Sequence, residues 1–214
     1  MCSTRTIVGD VVEVKSRRGE YTEATRRALL DAAARLFTER GFTKTSLDDV
    51  AADARVTKGA IYHHFSGKSG LFEALFDELE QSENGAARAA FVAQDDPTEG
   101  ALAALDQFLL ACSESVYGAL VFREAPIALG WEAWRRCEEK YSYALMADML
   151  TALQAAGRIP ARGGDALPNI AFGMLGAAGQ LLARTAPEDR ARVREECRWP
   201  FVALLAGFAS LPPE

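Results

Sequence analysis

The sequence predicts an all-α protein in two parts: a cluster of three short helices near the N-terminus and a larger helical body behind it. Three observations carry this. Apolar residues recur at steps of three and four through most of the chain, and junctions containing Gly or Pro separate the runs. No segment gives a strand signal of comparable quality, and no internal repeat or low-complexity tract stands out.

Residues 1–20 lack either period and contain the basic pair Arg17-Arg18, so they read as a mobile N-terminal arm. Ala28, Leu29, Ala32, Ala33, Leu36 and Phe37 then mark a first helix over 22–40, with Thr22 placed to cap its start and Gly41 to end it. Thr45 and Ser46 precede a second helix over 46–53, with Asp48 and Asp49 at its positive end. Thr57 caps a third helix carrying Ile61, Tyr62 and Phe65, which Ser66-Gly67 breaks. A fourth starts near Lys68 and runs through Leu71, Phe72, Leu75, Phe76 and Leu79 toward Asn84-Gly85.

Pro97 stands near the start of a fifth helix holding Leu105, Phe108, Leu109, Cys112 and Val116. A short helix over 119–129 is bent or divided by Pro126. Trp131, Trp134, Glu138, Tyr141, Leu145 and Met149 share a face of a long helix ending at Gly157. Two last helices, 165–185 and 188–210, follow the Gly163-Gly164 and Ala186-Pro187 junctions, with Trp199-Pro200 kinking the second or starting its latter half.

Composition narrows the function classes. With 49% hydrophobic and 25% charged residues the chain is an ordinary globular one, not a disordered one. Charged and polar residues interrupt every apolar run short of a membrane span, and the charged first twenty residues do not form a secretory signal. The expected address is the cytoplasm. Cys2, Cys112, Cys137 and Cys197 show no Cys-x-x-Cys spacing; they read as reduced thiols, with a redox-sensing pair among the last three as the alternative. The net charge of −6 speaks against a nucleic-acid partner until it is divided: residues 1–70 carry +3 and residues 71–214 carry −9. The basic N-terminal third is the surface suited to phosphates.

The segment from Thr45 to Lys68 is two short helices joined by a tight turn, the form of a helix-turn-helix. Thr57, Lys58, Gly59 and Ala60 form the leading turn of the second helix, where small residues allow close approach to base edges. Tyr62, His63, His64 and Lys68 are candidates for the DNA-facing surface, with Tyr62, His64 and Lys68 placed to grip phosphates. Thr22 and Thr45 offer hydroxyls and free helix-end N–H groups to the backbone.

Over about residues 22–75 this pattern resembles the tetracycline-repressor (TetR/AcrR) family of transcriptional regulators. The matching residues are Thr45-Ser46, Val50-Ala51, Ala54-Arg55-Val56-Thr57, Gly59, Tyr62-His63-His64-Phe65, Lys68 and Leu71. Arg55 departs from it, standing where the family usually has a turn glycine. Either the turn bears slight strain, of about 1 kcal/mol, or it is shaped differently; Arg55 is also placed to reach a phosphate. The resemblance implies an all-helical ligand-binding body dimerised through its last two long helices, with release of DNA on ligand binding as the usual output.

Within the body, Phe108, Cys112, Tyr117, Phe122, Trp131, Trp134, Tyr141, Met146, Phe172 and Met174 form an aromatic and sulfur-rich set. Any one of them also suits ordinary core; together they suit an apolar effector pocket, with Gln180, Asn169, Glu124 and Arg123 as candidate polar groups. The small residues Gly173, Gly176 and Ala177, with Gln180 and with Val202, Leu205 and Phe208 on the last helix, suit a two-fold interface; packing within the chain is the alternative. His63 and His64 point about 100° apart on a helix and have no third ligand at metal spacing, so no metal is expected. No nucleophile elbow or phosphate-cradling loop suggests an enzyme or a cofactor.

The chain therefore reads as an arm (1–20), a helix-turn-helix domain (21–68) and a helical effector-binding and dimerisation domain (69–214). The expected function is a homodimeric repressor that leaves double-stranded, near-palindromic operator DNA when a small apolar or aromatic effector binds. Ligand-independent activators or architectural proteins and a cysteine-based redox sensor are the alternatives.

Overall fold

The computed structural model describes residues 17–114, 116–161 and 164–209, and every regular element among them is helical. In chain order they are α1 (Arg17–Arg40), α2 (Leu47–Asp53), α3 (Lys58–His64), α4 (Lys68–Val92) and α5 (Pro97–Ser113). A π-helical segment (Gly118–Glu124) leads into α6 (Ala125–Ala128) and α7 (Trp131–Glu138). A second π-helical segment (Glu139–Tyr143) joins α7 to α8 (Ala144–Ala155); α9 (Ala166–Arg184), a single 3₁₀ turn (Pro187–Asp189) and α10 (Arg190–Ala209) follow.

Local chemistry accounts for most boundaries. Gly41, at φ +84°, ends α1. Ser46 caps α2 reciprocally with Asp49: the Asp49 N–H donates to Ser46 Oγ (3.1 Å) and the Ser46 N–H to the Asp49 carboxylate (2.9 Å). The Ser46 hydroxyl, which also donates to that carboxylate, and the Ser46 N–H hold the Asp49 carboxyl below its usual range. Asp96 caps α5 by accepting from the N–H groups of Thr98 and Glu99, and Pro97 occupies the first turn, where no donor is needed.

Boundaries differ from expectation in α1, in α4 and in α5, which ends at Ser113 and leaves Val116 outside it. Helix α1 begins at Arg17, so residues 17–20 belong to it and Thr22 lies inside it; Thr22 neither caps the helix nor offers one of its free end N–H groups. Residues 1–16, including the rest of the expected arm and Cys2, lie outside the described residues, as do Gly163 and the end of the last helix at residue 210. Helix α4 does not stop at Asn84-Gly85 but continues to Val92, because Ala87 and Phe91 bury against Ala104, Leu145 and Met149. Helix α10 runs through Pro200.

One apolar core joins the two parts. Leu29, Leu30, Phe37, Val50, Ile61 and Phe65 of the first three helices are continuous with Leu71, Phe72, Leu75 and Phe76 of α4 and with Leu109, Leu120, Phe122 and Leu182 of the body. Phe37, Phe42 and Phe72 form an aromatic triangle with centroids 5.4–5.5 Å apart, fixing α1 on α4. Helix α9 is long and apolar enough by composition to cross a membrane, and it packs with the π-helical segment and α5 in the helical body.

Candidate DNA reader and effector cavity

Helices α2 and α3 meet at the turn Ala54-Arg55-Val56. Arg55 adopts φ +56°, the left-handed region, and the turn closes with Val56 N–H donating to the Ala51 carbonyl (3.0 Å) and Arg55 N–H to that of Ala52 (3.2 Å). The turn thus keeps the shape a glycine would give it, and Arg55 bears the steric strain. Its side chain is exposed.

Thr57, Lys58, Gly59, Tyr62 and His63 are exposed on α3 or at its start, and Ala60 and His64 are partly covered. Thr57 sits at the N-cap position without a side-chain capping bond, so its hydroxyl does not close the helix end. Lys58 Nζ forms an ion pair with Asp48 of α2 (2.9 Å), which raises the lysine pKa. Burial, with the nearby His63 and Arg26, lowers the pKa of His64 below the ordinary histidine value. Among the described residues no group of three or more His, Cys, Asp and Glu side chains is placed to hold a metal.

Two of the expected phosphate contacts are placed otherwise. Thr45 is buried, and its hydroxyl donates to the carbonyls of Gly41 (2.9 Å) and Leu36 (3.3 Å); it fastens the α1–α2 loop instead of facing outward. The Lys68 ammonium lies 4.2 Å above the centre of the Phe42 ring, a cation–π contact, and burial lowers its pKa.

Behind the reader, α4, α5, α7 to α10 and both π-helical segments surround an apolar cavity of about 140 Å³. Four of the expected pocket residues, Phe108, Phe122, Met146 and Phe172, line it. The others do not. Trp131 is 55% exposed on the surface. Trp134 packs behind Phe122, with ring centroids 6.3 Å apart. Cys112 is buried in the core, and its carbonyl crowds Gly118 so closely that a Cβ there would lie 2.1 Å away. The Tyr117 hydroxyl donates to Glu80 (2.8 Å), the Tyr141 hydroxyl to Asp77 (2.7 Å), and Gln180 lies off the lining with its backbone carbonyl accepting from Arg184 Nε. Tyr141 turns toward Asp77 of α4, and Ser142 takes the lining position between Glu138 and Leu145, at the i+4 and i+3 steps of one helix face.

The polar groups were also expected elsewhere. Asn169 is exposed, and Arg123 and Glu124 turn away from the cavity toward α1. The polar lining is Glu138, Asn84 and Ser142, with Glu80 behind them accepting from Tyr117, Asn84 and Ser142. Burial raises the Glu80 pKa to about 7 and drives that of Glu138 well above the usual carboxyl value. Neither carboxylate was legible as buried, because in sequence each looks like one more charge on a helix; Glu138 alone fell on a predicted apolar face.

Of the expected interface residues, Gly173 and Ala177 are exposed on α9, and Gly176, Gln180, Val202, Leu205 and Phe208 are partly covered. Gly176, Leu205 and Phe208 also line the cavity, so their first contacts are within the chain. The same two helices leave Ile170, Leu181, Trp199 and Leu204 exposed.

A reader of this form, carried by a helical body, defines a helix-turn-helix transcriptional regulator. Residues 29–75 match the profile described as bacterial regulatory proteins of the tetR family, and residues 98–208 match the tetracyclin repressor-like C-terminal domain. The chain belongs to the tetracycline-repressor family. It is 32% identical over 151 residues to the HTH-type transcriptional regulator AcrR of Shigella flexneri, covering 62% of this chain and 70% of that protein. It is 43% identical over 74 residues to the regulator TtgR of Pseudomonas putida, a match covering only 35% of each chain. A TetR-family transcriptional regulator from Pectobacterium atrosepticum superposes with TM-score 0.77 at 28% identity, over 91% of this chain and 98% of that one. RolR in complex with resorcinol shares the fold, with TM-score 0.62 at 21% identity over 92% and 99% of the two chains.

Proposed function

We propose that this regulator is a repressor that holds a near-palindromic operator as a homodimer and leaves it when a small, largely apolar or aromatic effector enters the cavity. The observation that carries the reading is the first π-helical segment. Phe122 is part of the cavity wall, while Arg123 Nη2 donates to the Thr38 carbonyl (3.1 Å) and the Glu124 carboxylate accepts the Phe42 N–H (2.8 Å). A ligand that displaces Phe122 pulls on the end of α1, and α1 packs directly on α2, α3 and α4.

The exposed leading turn of α3, Thr57 to Ala60, reads bases, and Tyr62, His63, His64 and Arg55 lie around it as backbone contacts. Thr22 and Lys68 are at most peripheral to this surface. The division at residue 68 separates reader and effector domain in this scheme, and the exposed apolar residues of α9 and α10 form the dimer face. The protein acts where its operator is, in the bacterial cytoplasm, with no cofactor. RolR's resorcinol supports an aromatic effector class by analogy of fold.

A ligand-independent regulator would have no use for a cavity of this size. A cysteine sensor is disfavoured because burial raises the pKa of Cys112, Cys137 and Cys197 and so suppresses the reactive thiolate.

The test is fluorescence-anisotropy binding to DNA upstream of the protein's own gene, against a scrambled duplex and across a salt series. Binding about a thousand-fold tighter to the native site supports the operator reading. Its loss on adding an apolar or aromatic compound supports the repressor reading. A compound that occupies the cavity without weakening operator binding overturns the release mechanism.

A further inference from the structure

Glu138 is buried, with only 6% of its surface exposed, lines the cavity, and makes no hydrogen bond among the described residues. Its neighbours deepen the deficit of positive charge. Glu80 lies next to it on α4, and no Lys, Arg or His lines the cavity. The cation that bears on its charge, Arg135, is exposed and paired with Glu139 (3.3 Å). A polar side chain with nothing to bind, aimed into a space otherwise walled by Leu, Met and Phe, is costly unless a ligand supplies its partner.

We infer that the cavity takes an apolar or aromatic molecule bearing a protonated amine, its ammonium bonded to the Glu138 carboxylate with Asn84 and Ser142 orienting it. This rests on the effector reading above and names the chemical class of that effector. Cavities of about 150 Å³ admit a benzene-sized ring, so the apolar walls accept the body of such a molecule while Glu138 receives its charged end. An ammonium and a carboxylate brought together out of water bond more strongly than neutral partners.

The proton balance is defined. The groups facing Glu138 are Glu80 on α4, Cys112 on α5, Tyr117 beside the first π-helical segment and Arg135 on its own helix. Burial and the neighbouring Glu80 favour a protonated, neutral Glu138 in the empty cavity, and Arg135 opposes them; Cys112 and Tyr117 are uncharged and do not repel its carboxylate. Binding an amine that arrives protonated therefore releases the Glu138 proton to solvent.

A matched pair of probes, phenethylamine and phenethyl alcohol, separates charge from shape. Calorimetric titration at neutral pH is expected to show the amine binding at least about ten-fold tighter than the alcohol, with release of about one proton measured across buffers of different ionisation enthalpy. Glu138→Gln keeps the shape and is expected to erase both the preference and the proton release. Glu80→Gln, a control for general loosening, retains the preference. Equal binding of the two probes, or a preference that survives Glu138→Gln, overturns the amine assignment while leaving an apolar effector intact. Binding of neither probe overturns the assignment as well. Preferential amine binding without any change in operator affinity keeps the site and overturns the release mechanism instead.

Discussion

The Glu124 carboxylate accepts the backbone N–H of Phe42 at 2.8 Å, across 82 positions of sequence. It reaches one of the donors left just beyond the end of α1, and Arg123 beside it takes the Thr38 carbonyl at 3.1 Å. Two consecutive residues of a body segment thus finish the first helix of the reader. Glu124 is only 6% exposed, so the bond forms in a medium that strengthens it and penalises its loss.

Removing that carboxylate should be felt in both parts. Glu124→Ala is expected to cost about 1–3 kcal/mol in urea unfolding, since a buried N–H loses its acceptor. Operator affinity should fall with it, as α1 loses its fixed end. Glu124→Gln keeps an acceptor oxygen and should lose less; equal losses would show that charge, not the cap, matters.

The first π-helical segment meets α9 without slack. A Cβ on residue 179 would lie 2.6 Å from the Phe122 ring, so Gly179→Ala should destabilise the fold by about 1–3 kcal/mol. Phe122→Leu alone costs a cavity, but combined with Gly179→Ala it should restore part of the loss. A double-mutant cycle by thermal unfolding measures this coupling, and additive losses would place the clash elsewhere.

Glu80 makes stability depend on pH. Its folded pKa of about 7 lies above the value of 4.5 expected when it is exposed, so between them the folded state holds more protons than the unfolded state. Stability from this group is therefore fully present below about pH 4.5 and is lost as pH rises through about 7, a change on the order of 3 kcal/mol. Glu138 acts in the same direction. Denaturant unfolding from pH 5 to pH 8 should show this fall, and Glu80→Gln should flatten much of it.

Lys58 is held by Asp48 in the free protein. Lys58→Ala should weaken operator binding, whereas Asp48→Asn, by freeing the lysine and removing an anion beside the reader, should tighten binding to operator and scrambled DNA alike. Anisotropy titrations over a salt series measure both. Loss of one phosphate contact lowers the slope of log K against log salt by about 1. Lys68→Ala, because its ammonium rests on Phe42, should register in stability before it registers in that slope.

The helices of the reader were legible because their signals are local. Ser46 and Asp49 cap α2, Gly41 ends α1, and Arg55 marks a turn whose left-handed backbone the structure retains. The apolar periods likewise announced α5 and α9. These follow from capping chemistry and helical spacing, which operate within a few residues.

Tertiary structure alone decided which side chains share the cavity and which acids are buried. Phe122, Phe108, Met146 and Phe172 meet there, while Trp131 stays largely in solvent and Tyr141 is held by Asp77 of α4. Glu80, Glu124 and Glu138 are written in the sequence as ordinary helix charges, yet each ends inside, one in a hydrogen-bonded cluster, one at the end of α1 and one in the cavity wall. The physical reason is range. A cap or an apolar stripe is satisfied by neighbours in sequence, whereas the cost of burying a carboxylate and the shape of a cavity depend on helices that meet only when the chain has packed.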